Sequence, residues 1–345
     1  MTAETSLLAV RGLRKEYPLS GGLLGRVRGS VKAVDGVSFS VESGGTLALV
    51  GESGSGKSTI GRTVLRLEEP TAGEVRFEGR DLGALSAEEL RPLRRRMQIV
   101  FQDPFGSLNP RMQVGGAIRE VLEVHGIARG REAGERAASL LDMVGLRGSD
   151  GGRYPHEFSA GQRQRICIAR ALSLSPRFIV ADEPVSALDV SNQAQIVNLL
   201  LALQERLRLS YLIITHNLAI VRHLAGRVAV LYLGRIVEEG STGEVFRAPL
   251  HPYTEALLSA SPSRDPLTRG RTLLLSGEIP SSMRIPPGCP FHPRCPRAGE
   301  RCRTDVPRAV SPAPGRVTTC HLHDGGTGPD AEDRPPSPGR PSRPS

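Results

Sequence analysis

Residues 159–189 read SAGQRQRICIARALSLSPRFIVADEPVSALD and join the start of a capped helix to a buried strand that ends in two carboxylates. Ser159 and Gln162 have the S-x-x-Q spacing of a capping box, so a helix should begin here with free N–H groups that favour an anion. The apolar segment FIVA then leads into Asp182 and Glu183, at the end of a strand where open α/β sheets bind ligands. The stretch therefore predicts an anion and metal site, although alone it also fits a capped helix followed by a core strand.

A second motif, upstream, predicts the same chemistry. GESGSGKS at residues 51–58 fits G-x-x-x-x-G-K-[ST] and lies between an apolar strand over Thr46–Val50 and a predicted helix over residues 57–67. The glycines let backbone N–H groups converge on phosphate oxygens, Lys57 reaches the β- and γ-phosphates, and the Ser58 hydroxyl binds Mg²⁺. The predicted nucleotide-binding residues of this loop are Gly51, Glu52, Ser53, Gly54, Ser55, Gly56, Lys57, Ser58 and Thr59.

Side chains at other strand ends complete the predicted site. Asp182 is expected to share Mg²⁺ with Ser58, and Glu183 to orient or activate the attacking water. His216 follows the apolar strand YLIIT at residues 211–215, where an imidazole can reach a γ-phosphate. Because a lone histidine is usually structural, the role of His216 depends on these neighbours.

The order of these motifs resembles the ATP-binding cassette (ABC) superfamily over about residues 6–260. The resemblance implies a P-loop NTPase fold in which Gln102 is a further catalytic residue and Mg²⁺ ligand. It also implies that Tyr17 stacks on adenine, although a single tyrosine near a strand end is often only packing. The implied signature residues are Ser159, Ala160, Gly161 and Gln162, and the implied D-loop is Ser186, Ala187, Leu188 and Asp189.

Three segments narrow the resemblance to the oligopeptide/dipeptide importer subfamily: FQDPFGSLNPRM at 101–112, YPHEFSAGQRQRI at 154–166 and HPYTEALLSA at 251–260. The subfamily implies an ATPase that pairs head to tail with a second, identical or paralogous ATPase, each signature facing the ATP of its partner. It further implies two membrane permease subunits, an extracytoplasmic solute-binding protein, and a peripheral location on the cytoplasmic face of the membrane.

Alternatives to peptide import remain open at this point. The same machinery can carry nickel or another peptide-like solute, and a soluble ABC ATPase of translation or repair is a rival from another class. Those ATPases usually carry two cassettes or a long coiled-coil insertion, and neither is found in this sequence. A non-catalytic regulatory cassette is disfavoured by the intact Lys57, Asp182, Glu183 and His216.

The signature departs from the family at one position, where Ala160 replaces the usual glycine. Alanine is compatible with the first position of a helix, so we expect the helix to form. Its methyl group is expected to weaken hydrolysis modestly, by crowding the phosphate or the packing on the membrane side, rather than to abolish it.

Bulk composition excludes several classes of protein. The 345 residues are 39% hydrophobic, enough for one large α/β domain with an appendage or for two domains. The sequence has neither the features of a signal peptide nor the roughly 18 to 20 consecutive apolar residues of a membrane span, which predicts a soluble, cytoplasmic protein. The net charge of +9 comes from arginines spread along the chain without interleaved aromatic residues, which disfavours a nucleic-acid partner.

Along the chain, we predict an ABC domain over 6–260 with a helical subdomain inserted at about 109–160, a small extension over 261–323, and a disordered Pro/Gly/Ser-rich tail over 324–345. The Gly- and Arg-rich residues 18–30 are predicted to form a flexible loop. A hairpin that turns at Gly234 is predicted over residues 228–239.

Cysteine use predicts a possible metal site in the extension. Cys289, Cys295, Cys302 and Cys320 have the spacing C-x₅-C-x₆-C-x₁₇-C, whereas Cys167 falls on the apolar face of a helix. Disulfides are disfavoured in the cytosol, and four thiolates suit [4Fe–4S] or Zn²⁺. The wide spacing favours the cluster over zinc, and four unligated thiols remain an alternative.

Three nearby histidines keep a mixed Cys/His zinc site open: His292, His321 and His323. Because these residues are remote in sequence from the ATP motifs, we expect a structural role.

Overall fold

The computed structural model describes residues 6–21, 26–260, 278 and 280–324, and its strands form two sheets. The strands are β1 (Ser6–Gly21), β2 (Arg26–Glu42), β3 (Thr46–Val50), β4 (Ala72–Phe77), β5 (Arg80–Asp81), β6 (Met97–Val100), β7 (Phe178–Asp182), β8 (Ser210–Thr215), β9 (Arg227–Tyr232), β10 (Arg235–Ser241), β11 (Val310–Ala313) and β12 (Arg316–Thr318). A four-stranded antiparallel sheet has the order β2-β1-β4-β5, and an eight-stranded mixed sheet has the order β11-β12-β10-β9-β3-β8-β7-β6.

The centre of the larger sheet is parallel. Strands β9, β3, β8, β7 and β6 run in the same direction, and every residue of β7 and β8 is buried. Such continuous apolar runs are typical of parallel strands covered on both faces. Since the strands are parallel, their carboxyl ends share one edge, which is where the predicted catalytic residues lie.

Helices cover this sheet and fill the connection between β6 and β7. They are α1 (Lys57–Val64), α2 (Ala87–Arg96), α3 (Pro104–Ser107), α4 (Val114–Val124), α5 (Gly130–Met143), α6 (Ala160–Leu172), α7 (Val190–Leu207), α8 (Leu218–Leu224), α9 (Thr242–Arg247), α10 (Pro252–Ala260) and α11 (Arg301–Thr304). Residues 109–160, over which a helical subdomain is predicted, contain α4, α5 and the first residue of α6. In α5 the buried residues Ala133, Ala137 and Leu141 recur every four positions and pack toward this layer. Cys167 is also buried there, and burial raises the pKa of its thiol to about 11, as suits a core residue.

The predicted loop over residues 18–30 is wrong. Strands β1 and β2 extend into it, with Tyr17 opposite Val31, Pro18 opposite Ser30 and Leu19 opposite Gly29, and only residues 22–25 within it lie outside the described structure. The composition favoured a loop because glycine has low strand propensity. The long antiparallel ladder of the two strands supplies backbone hydrogen bonds that depend little on side-chain type.

The cysteine-bearing extension continues the large sheet. Strand β12 pairs with β10, with Glu238 opposite Thr318, and the Arg316 guanidinium forms an ion pair with the fully buried Glu238 carboxylate. Removing one partner of such a buried pair typically costs about 3–5 kcal/mol, so this contact fixes the extension on the cassette.

The predicted disordered tail begins within the described structure. The Asp324 carboxylate lies 2.8 Å from Nδ1 of His321 and also contacts Arg301, whereas residues 325–345 lie outside the described part of the chain. Within the described residues, no helix combines the length and apolar character needed to span a bilayer.

Candidate functional site

The phosphate-binding loop is formed where β3 passes into α1, as predicted. Gly56 has φ near 100°, and a Cβ at this residue would lie 2.1 Å from the carbonyl oxygen of Ala33. A Cβ at Gly51 would lie 2.2 Å from the carbonyl oxygen of Leu231. Glycine is therefore required at both ends of the loop by close backbone approach, and at Gly56 also by its left-handed conformation.

Lys57 is buried beneath this loop and contacts its backbone. The Lys57 ammonium donates hydrogen bonds to the carbonyl oxygens of Gly51 and Glu52, both at 2.8 Å, and to the Ser55 hydroxyl at 3.3 Å. Burial lowers the pKa of Lys57, while the carboxylates of Glu183, Asp182 and Glu52 act in the opposite direction. A cation held in this way is positioned to contact phosphates that enter the loop.

Ser58 and Asp182, the residues predicted to share a magnesium ion, contact each other directly. The Ser58 hydroxyl donates to Oδ1 of Asp182 at 2.9 Å, although the two residues are 124 positions apart. Asp182 is buried, and this burial raises the pKa of its carboxyl group. An oxygen pair of this kind suits Mg²⁺, which takes few protein ligands besides water and phosphate.

Glu183 and His216 also form a contact across neighbouring strand ends. Nδ1 of His216 lies 2.8 Å from Oε1 of Glu183, and the Glu183 backbone N–H donates to the carbonyl oxygen of Ile214. Glu183 has φ near 50°, a left-handed conformation that is unusual for glutamate and clusters at functional sites. The imidazole is largely exposed, so it lies on the open side of the carboxylate.

Gln102 is placed at the same edge, two residues beyond the end of β6, and its side chain is exposed. Strand ends of β3, β7, β8 and β6 thus bring the phosphate-binding loop, the two acidic residues, the histidine and the glutamine to one side of the sheet. This convergence follows from the parallel strand order, as the sequence predicted.

The signature residues begin α6 with the predicted capping box. The Ser159 backbone N–H donates to Oε1 of Gln162 at 2.9 Å, and the Gln162 N–H donates to the Ser159 hydroxyl at 3.3 Å. Ala160 occupies the first helical position and its half-buried methyl group packs against the core, so the helix forms with alanine there, as expected. A Cβ at Gly161 would lie 3.0 Å from the Asn192 side-chain oxygen, so a side chain at this position would have less room than the methyl group of Ala160 has.

The D-loop connects this edge to α7. The Ser186 hydroxyl donates to the Glu183 carbonyl oxygen at 3.1 Å, and Asp189 caps α7 by accepting from the Asn192 N–H at 2.9 Å. Leu188 is buried, whereas Val190 is 81% exposed, which leaves an apolar side chain open to a partner. Ala187 is also exposed.

Tyr17 lies near the phosphate-binding helix but is already engaged. Its hydroxyl contacts the Glu68 carboxylate and interacts with Thr59, and its ring lies 5.0 Å from the Lys15 ammonium. Burial, together with Glu68, raises the pKa of the tyrosine hydroxyl. The position of Tyr17 beside Thr59 is compatible with a base-stacking role, which stays a prediction.

Glu52 makes contacts with the C-terminal part of the chain that the sequence did not predict. The Glu52 backbone N–H donates to the Tyr253 hydroxyl at 2.9 Å. Its carboxylate accepts two hydrogen bonds, at 2.7 and 2.9 Å, from the Arg294 guanidinium. HPYT at 251–254 was informative only as a family marker, and nothing in the spacing indicated that residues 201 and 242 positions away would meet this loop.

The four extension cysteines line one cavity of about 160 Å³, together with His251, His292 and His321. Burial raises the pKa of the thiols of Cys289 to about 11 and Cys320 to about 12, and raises that of Cys295. Among the described residues, no group of three or more His, Cys, Asp or Glu side chains has the geometry to hold a metal ion. The structure thus brings the cysteines to one cavity, but in the described residues their arrangement supports neither a zinc site nor a cluster site.

Comparisons with known proteins agree with this geometry. The sequence model of the ABC transporter family matches residues 34–186, and that of the oligopeptide/dipeptide transporter C-terminal region matches residues 237–302. The chain is 51% identical over 329 residues to the oligopeptide transport ATP-binding protein AppF of Bacillus subtilis, which covers 94% of this chain and all of that protein. It is 48% identical over 316 residues to the dipeptide transport ATP-binding protein DppF of Haemophilus influenzae, which covers 92% of this chain and 96% of that protein.

Solved structures share the fold of the cassette. A dimeric post-hydrolysis state of the ATP-binding cassette MJ0796 bound to ADP and phosphate has a TM-score of 0.59 at 28% identity, and covers 68% of this chain and 98% of that one. CbiO1 of Clostridium perfringens, part of the ABC transporter complex CbiONQ, has a TM-score of 0.61 at 26% identity, and covers 71% of this chain and 92% of that one.

Proposed function

The chain belongs to the ABC transporter family and is an ATPase of that family, and we propose that it energises the import of oligopeptides or dipeptides across the cytoplasmic membrane. The observation that carries the proposal is the junction of an intact ATP site with a C-terminal region of the oligopeptide/dipeptide type in one chain. Peptide relatives at about half identity, aligned over nearly the whole length, support this cargo over nickel or another peptide-like solute.

Within this chain's own site, the residues divide the work of hydrolysis. Lys57 and the loop N–H groups bind the phosphates of ATP, and Ser58, Asp182 and Gln102 hold the magnesium ion. Bound Mg²⁺ neutralises charge that develops on the phosphate oxygens. The Glu183 carboxylate orients the attacking water and accepts its proton, and the 2.8 Å contact with His216 fixes this carboxylate beside the γ-phosphate.

A second ATPase subunit completes each site. The free N–H groups at the start of α6 bind the γ-phosphate held by the partner, so Ser159, Ala160, Gly161 and Gln162 act in trans. The exposed Val190 beside the D-loop supports a subunit interface here. ATP thus stabilises a closed dimer, and hydrolysis shifts the population toward the open one.

The remaining partners follow from the same proposal. Two permease subunits bind near Gln102 and the helical insertion, and a solute-binding protein delivers the cargo from outside. The chain is then peripheral, on the cytoplasmic face of the membrane. We propose the ABC domain over 6–260 and the extension over 261–323 as its functional units.

The cysteine cavity is proposed to hold a [4Fe–4S] cluster. The proposal rests on the four sulfurs lining a single cavity of about 160 Å³ and on four cysteine thiolates being the usual ligand set of such a cluster. Cys289, Cys295, Cys302 and Cys320 would each supply one thiolate, and the cluster would supply additional bonds that hold the extension together. Anaerobically purified brown protein that absorbs near 400 nm supports this, and colourless zinc-loaded protein contradicts it.

Transport by the reconstituted complex tests the main proposal. The ATPase is co-purified with its permease subunits, inserted into proteoliposomes with ATP inside and solute-binding protein outside, and supplied with labelled dipeptide, oligopeptide or Ni²⁺. Peptide uptake that requires ATP is the expected result, and Lys57→Ala should abolish it. ATP-dependent uptake of Ni²⁺ without peptide uptake would show that nickel is the transported solute, and would leave the ATPase assignment intact.

A further inference from the structure

We propose that Arg294 of the cysteine-bearing extension is a positioning residue for the phosphate-binding loop, where it holds and neutralises Glu52 and so raises the affinity for ATP. The inference rests on the proposed nucleotide site and is independent of the transported solute.

The loop residue Glu52 is held on three sides. Its carboxylate accepts a bidentate pair of hydrogen bonds from Arg294, its N–H donates to Tyr253, and its carbonyl oxygen accepts from Lys57. The Arg294 side chain is only 6% exposed, and the hydrogen bonds to Glu52 raise its pKa further above its ordinary value. Charge-assisted, bidentate contacts are among the stronger polar contacts in proteins, and here the arginine is buried while the Glu52 side chain is 25% exposed.

Arg294 is itself held by the turn that carries two of the cysteines. It lies between Cys289 and Cys295 in sequence, and its backbone N–H donates to the carbonyl oxygen of Phe291. The buried Phe291 ring packs against Tyr253 and Tyr232, with centroids 5.4 and 5.2 Å apart. The Arg294 guanidinium lies 6.0 Å from the Tyr232 ring centroid. The arginine is therefore presented to the loop by a packed aromatic cluster.

The charge of Glu52 is unfavourable for a loop that binds a polyanion. The carboxylate attracts the Lys57 ammonium, which is the cation that must contact the phosphates. Without Arg294, this carboxylate would compete for Lys57 and repel the incoming phosphates. With Arg294 in place, the pair is neutral and the backbone of Glu52 is fixed.

A double-mutant cycle on the full chain tests this. Affinity for Mg·ATP is measured by calorimetry for Arg294→Gln, Glu52→Gln and the double variant, with thermal unfolding as the check on folding. Arg294→Gln should weaken binding about tenfold, as loss of one charged contact implies. The ATP affinity of the double variant should lie within about twofold of that of Glu52→Gln, because the unpaired carboxylate is gone. Arg294→Lys should regain part of the affinity that Arg294→Gln loses.

A matched control separates this role from general stability. Arg297 forms an ion pair at 2.7 Å with Glu255 of α10, also between extension and cassette, but at an exposed position. Arg297→Gln should leave ATP affinity unchanged. Equal losses in Arg294→Gln and the double variant, or no loss in either, would overturn the proposal, whereas failure of the unmodified chain to bind ATP would overturn the nucleotide site itself.

Discussion

The nucleotide edge of the sheet and the cysteine-bearing extension present reactive side chains in opposite ways. At the edge, residues far apart in sequence converge because parallel strands end together, as in the 2.9 Å contact between Ser58 and Asp182. In the extension, the four cysteines come from one C-terminal segment, which is joined to the cassette where β12 pairs with β10 and Arg316 contacts Glu238. Sequence separation is therefore a poor guide to coupling: the extension is remote in sequence from the ATP motifs, yet it contacts the phosphate-binding loop.

The largest effect is expected at the nucleotide edge, from Glu183→Gln. Loss of the carboxylate that accepts the proton should slow ATP hydrolysis by the assembled complex about 10²- to 10⁴-fold, while ATP binding persists. The measurement is phosphate release at saturating ATP, paired with calorimetric binding. Glu205→Gln, the same change at an exposed position of α7, should retain the full rate. A rate for Glu183→Gln within tenfold of the unmodified protein would refute its catalytic role.

An intermediate effect is expected at His251, where cassette and extension meet. Burial lowers the pKa of His251 to about 3, with a further contribution from His323, and its Nδ1 accepts from the Tyr253 N–H. In the unfolded chain, His251 has the ordinary histidine pKa of about 6.5. Below that pH the unfolded chain binds a proton at His251 that the native state does not bind. This contribution to stability is complete above pH 6.5 and is lost as the pH falls, by about 1.4 kcal/mol between pH 7.5 and 5.5.

Urea unfolding at the two pH values checks this linkage. In His251→Asn an amide oxygen can accept the same N–H, so the free energy of unfolding should lose this component of its pH dependence. His223→Asn, at an exposed position, should retain it. An identical pH dependence in His251→Asn and the unmodified protein would show that the junction is hydrated rather than dry.

The smallest effect is expected from Ala160→Gly at the start of α6. Removal of the half-buried methyl group relieves any crowding of the partner's phosphate, so hydrolysis by the complex should be equal or up to about twofold faster. Steady-state ATPase assays measure this, with unfolding by urea to detect a cost to the helix. A clear loss of activity would mean that the methyl packing seen against the core is needed for the active state.

Most of the residues at the nucleotide edge of the sheet could be predicted, because the sequence patterns that indicate them are short and local. The capping box at Ser159 and Gln162, the apolar strand before Asp182 and the glycines of the loop each encode their own conformation. The Gly234 hairpin was likewise confirmed by β9 and β10. The capping box at Ser86 and Glu89, which begins α2, offered the same kind of signal but was missed.

The rest depends on contacts that short-range patterns do not encode. The β1–β2 ladder overrode the low strand propensity of residues 18–30. The contact between Glu52 and Arg294 accompanies the packing of Phe291 on Tyr253, which has no period or spacing to detect in the sequence. A sequence motif locates a site, whereas the residues that support it are found only in the folded chain.

The pairing of β12 with β10 has a consequence for the boundary of the functional unit. Strands β11 and β12, which span residues 310–318, follow the region that resembles the transporter C-terminal family and cover what would otherwise be the exposed edge of the large sheet. A chain that ended at residue 302 would present the unpaired N–H and C=O groups of β10 to solvent, with the Glu238 carboxylate uncovered beside them. Such an edge is a template for pairing with another chain, and β12 covers it at Glu238 and Glu239, where the short strand β11 becomes the new edge.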